Sequence, residues 1–160
     1  MKVLLTTSGI GSRLGDHTKY NNKSLVRVGD QSALSRIIEY YPRDIDFVVT
    51  LGYFGDYVKQ YLNITYPDRK FKFVWVEDYT GPKSSLGYSM LQAKSALQEP
   101  FIFHACDTIL TKEDTLPDLC QQCKGLRMDF MAYGEYRRVD HGLSHFGFFT
   151  NRKYNRKRRF

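Results

Sequence analysis

Residues 2–25 read KVLLTTSGIGSRLGDHTKYNNKSL, and the fold turns on this stretch. Lys2 to Thr7 is apolar on successive positions, as expected of a parallel strand covered on both faces. Gly9 and Gly11 follow at once, so a glycine turn closes the carboxyl end of that strand. Glycines there let backbone N–H groups approach phosphate closely, because no Cβ intervenes and strained turn angles become accessible. Open parallel sheets bind ligands just outside the carboxyl ends of their strands. The loop after Thr7 is one such place, and Asp107, closing the apolar run PFIFHACD, marks a second.

Strands and helices alternate outward from this start. SALSRIIEYY, residues 32–41, sets Leu34, Ile37, Ile38 and Tyr41 at helical spacing, and Pro42 ends the pattern. DFVVTLG (46–52) predicts a second buried strand, and DYVKQYLNITY (56–66) a helix with Val58, Tyr61 and Leu62 on one side. KFKFVWVE (70–77) alternates in its first half, which suits a strand nearer a sheet edge. A polar segment, DYTGPKSS, leads into LGYSMLQAKSAL, a predicted helix running through Leu86, Met90 and Leu97. PFIFHACD is then a further buried strand ending in Asp107. The alternation predicts an α/β chain: a three-layer αβα, Rossmann-like fold on a mainly parallel sheet. Beyond Asp107 the pattern gives LPDLCQQCKGL as a short helix, with DFMAYGEY and HFGFFTN as strands.

The 160 residues set one domain or part of one. We expect residues 1–150 to form the ligand-binding domain and 151–160 a basic tail. The formal charge of +7 points toward an anionic partner, but NRKYNRKRRF carries six of the Lys and Arg residues, leaving the body near neutrality. Such a tail binds phosphates nonspecifically, while paired zinc ligands and an RNA-binding aromatic motif are both missing, so no specific nucleic acid is expected. No apolar stretch is long enough to span a bilayer and MKVLLTTSG lacks the form of a secretory signal, so the expected setting is the cytoplasm without membrane contact. Of the three cysteines, Cys120 and Cys123 form a CxxC without a second pair or a spaced His, and are read as plain helix positions.

The glycine loop differs from two familiar phosphate loops. A dinucleotide fold needs GxGxxG and an acidic end to the second strand, whereas here the third glycine is Gly15 and the strand ends Thr50, Leu51, Gly52. GxxxxGK followed by Ser or Thr occurs nowhere. SGIGSRLGDHTKYNNKSLVRVGDQSAL resembles instead the signature of the nucleoside-triphosphate transferases that make NDP-sugars and related activated compounds. Gly9, Gly11, Arg13, Leu14, Thr18, Lys23 and Leu25 fall on that pattern, and Asn22 stands where Pro is usual.

The resemblance implies the nucleotide-diphospho-sugar transferase type of fold. It also implies a reaction in which a phosphorylated acceptor, a sugar 1-phosphate or an alcohol phosphate, attacks the α-phosphorus of an NTP and releases pyrophosphate. In that reading Gly9, Ile10, Gly11 and Ser12 line the triphosphate, and Arg13 neutralises the departing pyrophosphate. Lys23 sits against the α-phosphate or the incoming phosphate, and Asp107 holds Mg²⁺. Ser85 and Gly87 contact nucleotide, although a capping Ser before an amphipathic helix explains the same letters. The resemblance covers Lys2 to Leu110. The later candidates for a second metal carboxylate or its neighbourhood, Glu135, Asp140 and His141, match no family motif, so the domain is expected to be short or divergent. The rival reading is a noncatalytic nucleotide-binding or assembly module, and a homo-oligomer is one way to complete the sheet or site.

Overall fold

A computed structural model describes residues 1–82 and 84–109, together with strands at 128–129 and 146–150. In chain order, β1 is Lys2–Thr6 and a short hairpin pairs β2 (Arg27–Val28) with β3 (Gln31–Ser32). Helix α1 is Ala33–Tyr40, β4 is Asp46–Leu51, α2 is Gly55–Thr65 and β5 is Phe71–Trp75. Helix α3 is Leu86–Gln92, β6 is Phe101–Ala105, β7 is Met128–Asp129 and β8 is Phe146–Thr150. The described strands other than the hairpin form one sheet in the order β5-β4-β1-β6-β8-β7. Within it β5, β4, β1 and β6 run parallel, and β8 is antiparallel to β6.

Period-two alternation makes the layers. Register sets Val3 beside Phe47 and Ile102, and Leu4 beside Val48 and Phe103. The first set packs under α1 and α2 with Leu34, Ile37, Ile38, Val58 and Leu62. The second packs under α3 and the turn after it with Met90, Ala93, Ala96 and Leu97. A sheet buried on both faces therefore needs the continuous apolar run that β1 carries. Each fully buried large side chain contributes about 1.5–3 kcal/mol of transfer free energy, which is why β1 needs no favourable local turn to hold it in place.

Local chemistry fixes the helix ends. The Ser32 hydroxyl accepts from Ser35 N–H at 3.0 Å, capping α1. The Ser35 hydroxyl also meets Tyr61 OH at 2.5 Å, tying α1 to α2. At the other end of α1, Arg69 donates to the carbonyls of Ile38, Tyr41 and Pro42, adding to the backbone N–H bonds that the Ile38 and Pro42 carbonyls already accept. β5 lies at a sheet edge, as its sequence predicts, and Trp75 is half-exposed there.

Two expectations need correction. The helix predicted over 86–97 stops at Gln92, and a single 3-10 turn, Lys94–Ala96, completes the run. Ala93 N–H bonds Met90 C=O, three residues back, which tightens the chain and carries Ala96 and Leu97 into the core. Leu86, the first residue of α3, is partly exposed at the lip of a pocket. The strand predicted to end in Asp107 ends at Ala105, and Thr108 N–H closes a turn onto Ala105 C=O at 3.0 Å, leaving Asp107 on that turn. Strand character recurs at 146–150 within the predicted HFGFFTN, and at 128–129 where DFMAYGEY begins. The helix expected over 116–126, with Cys120 and Cys123, lies outside the described residues, as do Glu135, Asp140, His141 and the basic tail.

Candidate functional site

The carboxyl ends of β1 and β6 and the start of α3 build one pocket of about 350 Å³. Its first wall is the glycine loop. Thr7 fastens the end of β1 to β4, its hydroxyl donating to Thr50 C=O at 2.7 Å, and Tyr53 N–H then donates to Ser8 C=O at 2.9 Å. Gly11 turns the chain in the left-handed region, at φ 71° and ψ 30°. A Cβ there would lie 2.9 Å from Lys23 Cβ, so both conformation and space require glycine. Gly9 is required for neither reason: a Cβ on it would meet no protein atom within 4 Å. Ser12–Thr18 continues as 3-10 turns broken at Gly15, and the Thr18 hydroxyl, within 3.1–3.2 Å of the Gly11 and Gly15 carbonyls, closes the loop on itself.

The second wall carries the charges. Asn22 is buried and precedes a 3-10 turn, Lys23–Leu25, for which its side chain is the cap. The Lys23 stem lies over Gly11, and its ammonium donates to Asp107 Oδ2 at 3.0 Å. Burial works against the Lys23 ammonium, but its neighbours outweigh that effect and hold its pKa above the ordinary value. The working partner is the Asp107 carboxylate: Cys106 attracts Lys23 only when ionised, and burial pushes that thiol up to about 11. Behind Asp107, His104 Nε2 donates to Thr108 C=O at 2.8 Å, while Tyr41 OH donates to Nδ1 at 2.8 Å. The carbonyl accepts only, which fixes the tautomer. Burial lowers the His104 pKa to about 4, so the ring stays neutral.

The third wall is hydroxyl-rich. Ser84 and Ser85 face the glycine loop, and the Ser8 and Ser89 hydroxyls meet at 2.9 Å in the floor. The Ser85 hydroxyl accepts from Tyr88 N–H at 3.0 Å, so Ser85 caps α3 and lines the pocket together. Tyr88 turns its hydroxyl to Asp78 at 3.4 Å and is not part of the wall.

Of the residues singled out in the sequence, Gly9, Ile10, Gly11, Ser12, Lys23 and Ser85 share the wall of this pocket, and Asp107 joins them through Lys23. Arg13 is exposed on the adjoining 3-10 turn, close enough for its charge to oppose that of Lys23. Gly87 is exposed in the first turn of α3 and does not reach the wall. Sequence reading did not single out Ser8, Tyr79 or Ser89, which line the pocket; the adjacency of Ser8 to Gly9, and Ser89 one helical turn after Ser85, were the available signals. Among the described residues, no three His, Cys, Asp or Glu side chains gather as a metal cluster.

Comparisons with known proteins agree with this fold. The protein named bifunctional IPC transferase and DIPP synthase from Archaeoglobus fulgidus is 27% identical over 114 residues, covering 71% of this chain and 21% of that protein. CTP:phosphocholine cytidylyltransferase from Streptococcus pneumoniae (LicC) is 25% identical, with a TM-score of 0.60 over 73% of this chain and 49% of that one. HddC from Yersinia pseudotuberculosis, complexed with GMP-PN, shares the fold at 19% identity, with a TM-score of 0.64 over 94% of this chain and 73% of that one. A UDP-glucose pyrophosphorylase complexed with UDP-glucose does so at 18% identity and TM-score 0.60, over 76% of this chain and 51% of that one. The chain thus spans about a fifth of its archaeal relative and about half of the pyrophosphorylase. Residues 3–151, nearly the whole chain, match the family described as the MobA-like NTP transferase domain, and the chain belongs to that family.

Proposed function

We propose that this chain transfers an NMP moiety from an NTP to a phosphorylated small-molecule acceptor, a sugar 1-phosphate or an alcohol phosphate, with release of pyrophosphate. The observation that carries the reading is the meeting of Gly9–Ser12, Lys23 and Ser85 around one cavity with Asp107 beside Lys23. The acceptor class draws on the relatives, whose names include a UDP-glucose pyrophosphorylase and a CTP:phosphocholine cytidylyltransferase.

In the proposed reaction an acceptor phosphate oxygen forms a bond to the α-phosphorus. The bond from that phosphorus to the bridging oxygen breaks, and its electron pair leaves with pyrophosphate. Charge grows on the non-bridging and leaving oxygens, so donors fixed beforehand favour the transition state. Backbone N–H groups of Gly9 to Ser12 cradle the triphosphate, and the open space at Gly9 leaves room for it. Lys23 meets the α-phosphate or the incoming phosphate, and Arg13 the departing pyrophosphate. Ser85 and, at the outer rim, Gly87 approach the nucleoside.

Asp107 fits a Mg²⁺ ligand on the chemistry of its donors. Its half-exposed carboxylate offers hard oxygen at the pocket mouth, and Mg²⁺ takes one or two carboxylates beside phosphate oxygens and water. When bound, Mg²⁺ neutralises charge on the phosphate oxygens. The soft Cys106 sulfur has no place in such a site. No helix among the described residues is long and apolar enough to cross a membrane; a cytoplasmic setting is proposed from the nucleotide substrate. Pairing between copies along the β5 edge is the proposed assembly, and molar mass by light scattering checks it.

Calorimetric titration with ATP, CTP, GTP and UTP, with and without Mg²⁺, tests the reading. The expected outcome is metal-dependent preference for one NTP, weakened in Asp107→Asn, followed by turnover with an acceptor phosphate. Binding without turnover selects a noncatalytic nucleotide-binding module, and no binding by a folded sample overturns the functional reading.

A further inference from the structure

We propose that Asn22 is the positioning residue for Lys23, holding the cation of the pocket mouth in place by joining three chain segments; the inference rests on the nucleotide-binding reading above. Asn22 is 0% exposed, and all four hydrogen-bonding positions of its amide are filled. Nδ2 donates to Thr7 C=O at 2.8 Å and to Tyr53 C=O at 2.6 Å. Oδ1 accepts from Ser24 N–H at 2.9 Å and from the Ser24 hydroxyl at 2.8 Å.

These partners define what Asn22 does. Thr7 is the residue just past β1, Tyr53 stands two past β4, and Ser24 belongs to the turn that begins with Lys23. Leu25 N–H closes that turn onto Asn22 C=O at 3.0 Å. One saturated amide thus references the Lys23 backbone to the ends of two core strands. Lys23 extends from that anchor along Gly11 to Asp107. A flexible four-carbon stem holds an ammonium poorly on its own, so the backbone beneath it decides where the charge sits. None of the three Asn22 partners carries charge, and the side chain is sealed from the pocket, so Asn22 acts through Lys23 and does not itself touch a ligand.

The sequence departs here from its family resemblance, in which Pro is usual. Asn22 has φ −74° and ψ 142°, close to the angle that a proline ring imposes. The same backbone course is held here by four hydrogen bonds.

The test is a double-mutant cycle on binding of whichever of ATP, CTP, GTP or UTP the unsubstituted chain takes best. Asn22→Ala is expected to weaken binding about tenfold, the scale of leaving buried polar groups unpaired, and to add nothing in a Lys23→Ala background. An equal loss in both backgrounds marks a general structural role and overturns the proposal, as does no loss at all. If Asn22→Ala does not fold, Asn22→Ser, which keeps a small polar side chain but cannot fill all four positions of the amide, enters the same cycle; the same criteria apply. A ligand-free readout separates this proposal from the functional reading. The ¹⁵Nζ resonance of Lys23 is expected to move in Asn22→Ala or Asn22→Ser toward its position in Asp107→Asn. If the unsubstituted chain binds no triphosphate the functional reading fails, and an unmoved Lys23 resonance overturns the positioning role on its own.

Discussion

Gly9 and Gly11 stand two residues apart in one motif, yet their substitutions should fail differently. Gly11→Ala forces a side chain into the left-handed region and against Lys23 Cβ. Strain of this kind costs about 1–3 kcal/mol, so a lower urea midpoint is expected in equilibrium unfolding. Gly9→Ala places its methyl in open pocket space, so stability should stay within about 0.5 kcal/mol while triphosphate affinity drops in calorimetry. Equal loss of stability in both would contradict the distinction. The sequence made these glycines legible because the motif is local. Asn22 and His104 were not legible as structural anchors, because their partners are remote: Thr7 and Tyr53 lie 15 and 31 positions from Asn22, and Tyr41 lies 63 from His104. No short window of sequence contains both ends of such a bond.

At the scale of elements, Ser85 joins a helix end to the pocket. Ser85→Ala removes the cap of α3 and should cost about 1 kcal/mol, read by the shift in urea midpoint, and Ser85→Thr should restore most of it. If nucleotide affinity follows stability through both variants, capping accounts for Ser85; affinity lost in Ser85→Thr with stability kept marks direct contact. The elements themselves were largely legible. Apolar runs at 2–7, 46–52 and 100–107 contain strands at Lys2–Thr6, Asp46–Leu51 and Phe101–Ala105. Their ends were less so, since the turn that carries Asp107 is closed by Thr108 N–H to Ala105 C=O and supported by His104, neither of which hydrophobic periodicity reports. The division of 86–97 into α3 and a 3-10 turn was hidden for a related reason, because the sheet beneath draws Leu97 inward.

Across the whole molecule, stability should depend on pH through His104. Its folded pKa is lowered to about 4 by burial, against an unfolded value near 6.5. Between these values the unfolded chain binds the extra proton, so stability falls as the pH drops through that window, by about 3 kcal/mol at most. Denaturant melts from pH 7 to pH 4 check the slope, and His104→Gln should flatten it. The mainly parallel sheet followed from the alternation of strand and helix patterns, but which strands are neighbours did not, because β4 and β6 pair with β1 from 44 or more positions away. That central placement of β1 has a further consequence for tolerance to length change. A single residue deleted within Lys2–Thr6 exchanges the two sets of side chains between the helical layers and starts the glycine loop from the opposite face. The β2–β3 hairpin, exposed at Gly29 and Asp30, imposes no such phase on the rest of the chain. A library of one-residue deletions should therefore retain folded members at the hairpin tip and lose them throughout β1, even though many conservative apolar exchanges in β1 survive.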